Sequence, residues 1–179
     1  RSQGGAINTF VDVTITDSTF TNNSAGEKGG AIFSTSDLTI KADKYDVIFS
    51  SNSAKDGSDI FMNGNTSNTN PTLSLISSEN KTITFASGIS GTDNGYNINI
   101  DGKGTVKLDS CIKNANVTVN GNLLLGNNSN INNNNNHFTF NNGSSLSTIN
   151  NKIDKFNDGL ITINGDANIS IDIDMNLLY

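Results

Sequence analysis

Apolar residues alternate with polar ones in short runs: Val11, Val13 and Ile15; Leu38 and Ile40; Ile98 and Ile100; Val106 and Leu108; Val117 and Val119; Leu123 and Leu125; Phe138 and Phe140; and Ile169, Ile171, Ile173 and Met175. A period of two sends one side chain inward and the next outward, as a strand buried on one face requires. Gly, Asn, Asp or Ser closes nearly every run, and these residues end strands by adopting left-handed backbone or by bonding their own main chain. No stretch carries helical periodicity. The pattern predicts many short strands joined by tight corners, with Val13, Ile15, Ile40, Ile100, Val119 and Ile171 facing inward in parallel ladders.

Two blocks recur in order. Gly4-Gly5-Ala6-Ile7 returns as Gly29-Gly30-Ala31-Ile32 after 25 residues, and Phe20-Thr21-Asn22-Asn23 returns as Phe49-Ser50-Ser51-Asn52 after 29. A decayed third copy, Gly57-Ser58-Asp59-Ile60 and Phe85-Ala86-Ser87-Gly88, keeps the spacing. Fixed order with elastic spacing is the signature of a solenoid whose turns bury their apolar faces against each other. Within one coil the glycines permit a tight corner, Ala fits a narrow spot and Ile opens an inward strand. Phe20 and Phe49 are expected to stack inside adjacent coils, with Asn23 and Asn52 at the next corner, placed to hydrogen-bond as a ladder. At one coil every ~25 residues the chain makes about seven coils stacked ~4.8 Å apart, a prism on the order of 35 Å long.

The paired blocks resemble the repeats of chlamydial polymorphic membrane proteins, which carry many copies of Gly-Gly-Ala-(Ile/Leu/Val) and Phe-x-x-Asn. The resemblance is strong over residues 4–60; the degenerate coils of 61–179 are similar only to autotransporter passengers in general. It implies an all-β, right-handed parallel β-helix, one continuous segment over residues 1–179, in the secreted passenger of a bacterial surface adhesin. A host-cell receptor, a glycan or another surface protein would be the partner. Anchoring in the outer membrane would come from outside this chain. The sequence opens inside a repeat and stops straight after a strand, so it reads as an excised segment, and a missing signal peptide carries no information.

Composition refines this picture. Asn supplies 32 of the 179 residues and the hydrophobic fraction is 34%, a polarity that would suggest disorder without the alternation. The formal net charge is −6, and Arg1 is the only arginine, which argues against nucleic acid as a partner. No apolar run approaches the ~20 residues of a membrane-spanning helix. The tract 127–136 reads as a polar corner with Ile131 turned inward, and segment 62–72 as a long exposed loop of the kind that carries binding.

Candidate chemistry is sparse. His137 is the only histidine, read as a loop or strand-edge residue, and no cluster of Cys and His suits zinc. Cys111 has no partner for an internal disulfide and reads as a small core residue. Its scarcity suits export unfolded, which the resemblance implies. Gly102-Lys103-Gly104-Thr105 lacks the upstream glycine of a phosphate loop and reads as a turn. Asp172, Asp174 and Asn176 share the outer side of one strand, read as a solvated face. The rival function is polysaccharide cleavage by a β-helix enzyme, for which Asp56 with Asp59, or Asp101 with Asp109, are the candidate carboxylate pairs. The expectation is no catalytic, cofactor or metal residues; an adhesive surface and a structural spacer both stay open.

Overall fold

The structure is a computed structural model and describes residues 2–64, 70–93, 95–131, 135–149 and 161–171. Its strands form three parallel sheets, all three visited in turn by the first four coils and the second and third by the coils that follow. The first sheet stacks β1 (Ile7–Thr9), β4 (Ile32–Ser34), β7 (Ile60–Met62) and β10 (Ile89–Gly91). The second stacks β2 (Val13–Thr16), β5 (Leu38–Ala42), β8 (Thr72–Ser77), β11 (Tyr96–Asp101), β13 (Ala115–Val119), β15 (His137–Phe140) and β17 (Ile161–Ile163). The third stacks β3 (Thr19–Thr21), β6 (Val47–Ser50), β9 (Thr82–Phe85), β12 (Thr105–Leu108), β14 (Asn122–Leu125), β16 (Ser145–Thr148) and β18 (Asn168–Ile171). The described residues form a parallel β-helix of seven coils, consistent with the right-handed sense that parallel crossovers take.

Register explains the elastic spacing. The second-sheet ladder Val13, Leu38, Leu73, Ile98, Val117, Phe138, Ile161 advances by 25, 35, 25, 19, 21 and 23 residues. The 35-residue coil contains the segment read as a long loop. That reading starts one residue early, because Met62 is the buried last residue of β7, and Thr72 already belongs to β8; residues 65–69 lie outside the described ones. Among the described residues beyond β10, the first-sheet position is held by bridges, Ile89 to Ile112 and Cys111 to Asn130. Shorter coils result.

The core is a set of columns. Leu38, Ile40, Ile100 and Val119 are fully buried, whereas Val13 and Ile15 are half-buried because β2 pairs on one side only. Ile171 lies in β18, parallel to β16, as the alternation predicts; its side chain, with Asp172, Asp174 and Asn176, falls outside the description. Phe20 and Phe49 stack with ring centroids 4.7 Å apart, and Phe85 continues the column at 4.8 Å from Phe49. Ile131 is buried, as expected.

Cys111 is corrected. The core position beside it belongs to Ile112, which is fully buried, while Cys111 alternates outward and is half-buried.

Candidate functional site

The repeat residues build the corners. Gly4, Gly29 and Gly57 take φ of 65°, 66° and 59°, and a Cβ at Gly29 would overlap the carbonyl oxygen of Ile32. Gly5 and Gly30 pass so close to the next coil that a Cβ on Gly30 would strike Ser58 O. Ala31 and Ile32 are fully buried behind them; Ile7, in the first strand of its sheet, is half-buried, and Ala6 N donates to Ala31 O at 2.9 Å. Gly29→Ala should therefore lower stability by about 1–3 kcal/mol, read in urea melts. An unchanged midpoint would mean that the corner relaxes freely.

The predicted asparagine ladder is present. Asn52 Oδ1 accepts from Asn23 N and Asn23 Nδ2, both at 3.0 Å, while Asn52 Nδ2 donates to Phe20 O at 3.0 Å. A second ladder, which the sequence reading missed, follows β13, β15 and β17. Asn164 donates to Asn141 Oδ1 at 3.1 Å, Asn141 to Asn120 Oδ1 at 2.7 Å and Asn120 to Asp101 Oδ1 at 2.9 Å.

Several acidic residues cap backbone N–H groups of the next coil. Asp12 receives Asp37 N, Asp37 receives Thr72 N, Asp46 receives Thr82 N, and Asp17 receives the three successive N–H groups of Asp43, Lys44 and Tyr45. Asp109 receives Asn128 N at 2.9 Å and pairs with Lys107 at 3.4 Å, so it and Asp101 are each tied to separate partners. Asp59 is fully buried: one oxygen accepts from Asn52 Nδ2 at 2.9 Å, the other from Ser87 N and Gly88 N at 2.8 and 3.2 Å. Burial pushes its carboxyl up, against the pull of those hydrogen bonds. Asp56, its candidate partner, instead faces the outer side of the first sheet, where Lys113 Nζ stands 4.0 Å from Oδ1.

That outer side was not anticipated. Phe33 and Phe61 alternate away from the core, stacked with centroids 5.9 Å apart, and Lys28 Nζ lies 4.2 Å over Phe61. Both rings are nonetheless buried, at 3% and 1% exposure. Two hollows meet here at Asp56: one of about 100 Å³ reaching Ser58, Ser90, Cys111 and Lys113, the other of about 440 Å³ bounded by Lys28, Phe61, Thr92 and Asp93. Burial holds the Cys111 thiol up, with Lys113 opposing and Asp56 reinforcing, so thiolate chemistry is disfavoured there. His137 sits at the start of β15, its Nε2 3.1 Å from Thr162 Oγ1. Gly102 to Gly104 turns the chain from β11 into β12, as read. Among the described residues, no three His, Cys, Asp or Glu side chains come together.

Residues 17–35 match a family model. It is that of the Chlamydia polymorphic membrane protein (Chlamydia_PMP) repeat. The matched stretch runs from Asp17 through Phe20 and Asn23 to Gly29-Gly30-Ala31-Ile32, so it contains one Phe-x-x-Asn block and the corner that follows it. Comparison with curated proteins and with solved structures gave no match.

Proposed function

We propose that this chain is a segment of the secreted passenger of an autotransporter-like surface protein, and that it binds host or surface ligands through polar groups on a rigid solenoid. The match of residues 17–35 to the polymorphic membrane protein repeat carries the reading, and the parallel β-helix built from that repeat supports it. The same repeat match supports a location outside the cell, anchored through the outer membrane by a region outside this chain. A stacked coil with many of its Asp and Asn side chains bonded to the neighbouring coil holds surface groups at fixed positions, which suits shallow, multivalent attachment.

The same commitment weighs against polysaccharide cleavage. A general acid or base has to be available to substrate with its pKa tuned, whereas Asp59, Asp101 and Asp109 each accept hydrogen bonds that hold coils together. Incubation with acidic and neutral polysaccharides, with and without calcium, should release no product. Release that disappears in Asp101→Ala or Asp109→Ala would instead establish the enzyme.

Purified protein should attach to host epithelial cells and lose attachment when residues 63–70 are deleted. The deletion shortens the 35-residue coil to 27, close to its neighbours, so the stack can close. Attachment unaffected by the deletion would move the adhesive surface elsewhere. No attachment by the intact chain would leave a spacer.

A further inference from the structure

Of the five buried side-chain polar atoms without a hydrogen-bond partner among the described residues, those of Ser90 and Asp56 share one hollow, whereas those of Tyr96, Ser144 and Thr148 line neither of the two hollows that meet at Asp56. Ser90 is 1% exposed, lines the smaller hollow, and its Oγ has no hydrogen-bond partner among the described residues. Asp56 Oδ1 is likewise buried and without one, Lys113 Nζ at 4.0 Å being too far to donate. By contrast, the carboxylates of Asp12, Asp17, Asp37, Asp46, Asp59 and Asp109 accept backbone N–H groups of the next coil. Buried polar atoms left without partners are costly, so their retention on one wall of a hollow points to a ligand that completes them.

We infer that this groove binds a neutral pyranose, with two vicinal hydroxyls in the smaller hollow and the sugar ring in the larger. The claim rests on the surface-display reading above and names its ligand class. The donor and acceptor inventory selects the chemistry. Asp56 Oδ1 only accepts, Lys113 only donates, and Ser90 Oγ does either. A hydroxyl group, which donates and accepts at once, satisfies a carboxylate and an ammonium held 4.0 Å apart. A cation would face Lys55 and Lys113, and a carboxylate or phosphate would face Asp56, so neither charge suits the pair. Size agrees: about 100 Å³ is the room of roughly three waters, enough for two hydroxyls and too small for a ring. The adjoining hollow of about 440 Å³ lies in the range of small-ligand pockets. Its hydroxyl, carboxylate and ammonium groups, from Thr92, Asp93 and Lys28, are of the same mixed kind.

Cys111 supplies the readout, since it is the single cysteine and lines the smaller hollow. The methyl glycosides of glucose, galactose, mannose and N-acetylglucosamine, with glucuronate as the charged control, are titrated into the full chain by ligand-observed NMR. Alkylation of Cys111 by N-ethylmaleimide is timed in parallel. At least one neutral glycoside should bind at millimolar Kd and slow alkylation saturably. Ser90→Ala and Asp56→Asn should each weaken binding about five-fold while the melting midpoint stays within a few degrees, and glucuronate should bind more weakly than the neutral sugars. No saturation by any neutral glycoside at about 100 mM, equal binding in both variants, or preference for glucuronate would overturn the inference. Cell attachment is measured on the same samples. Attachment without sugar binding removes the groove and leaves the display reading standing; sugar binding without attachment upholds the groove and removes the adhesive role.

Discussion

Phe49→Ala should lose about 3–5 kcal/mol of stability, more than any other single truncation in the aromatic column. Phe49 is fully buried and sandwiched, with Phe20 at 4.7 Å on one side and Phe85 at 4.8 Å on the other, at interplanar angles of 9° and 21°. Those separations equal the rise between coils, so each ring rests on its neighbour as each strand pairs with its neighbour. Removing the middle ring takes a face from both partners and opens a void that the stacked backbone cannot close, because its hydrogen bonds fix the coil spacing. Phe20→Ala should cost less, since Phe20 is 9% exposed and stacks on one partner. Urea unfolding of the two variants beside the parent chain checks both size and order. A loss below about 1 kcal/mol for Phe49→Ala would mean that the column does not carry the core.

The column was legible in the sequence because Phe20, Phe49 and Phe85 recur with glycine corners between them, and alternation says which side is in. Alternation says nothing about which strand lies next door. The capping carboxylates therefore escaped notice: Asp37 meets Thr72 N, and Asp46 meets Thr82 N, only once the 35-residue coil is in register. Their polar character was read as strand termination, which is correct but incomplete. The Asp101, Asn120, Asn141, Asn164 ladder did leave a signal, since its steps of 19, 21 and 23 residues match the spacing of the inward ladder. The outward Phe33 and Phe61 were missed because a buried outer face breaks the rule that one side of such a strand meets water. Ser90 and Asp56 lie on the same face, so the groove was hidden for the same reason.

Asp59→Ala should cost about 2–4 kcal/mol, and the reason lies in how the third repeat decays. In the second copy Ala31 fills the narrow corner and Asn52 closes the block; in the third, Asp59 stands where Ala was and Gly88 where Asn was. The two changes compensate. With no side chain at position 88, Ser87 Oγ takes the donation from Asn52 N at 3.1 Å, and the Asp59 carboxylate accepts Ser87 N, Gly88 N and Asn52 Nδ2. Alanine at position 59 would strand these three donors, at about 1–3 kcal/mol each, offset in part by no longer burying an ionised carboxylate. Asparagine would not rescue it, because its amide would point hydrogens at one of the two donor sets. The pH dependence has a definite sign. Burial raises the folded carboxyl above its ordinary value, so its share of stability is full below that value and falls as pH rises through the raised one. The gap between parent and Asp59→Ala should accordingly be wider at about pH 4 than at about pH 8 in matched urea melts. A gap that widens toward pH 8 would mean that the three hydrogen bonds outweigh desolvation, and that Asp59 works as an ionised clamp between the third and fourth coils.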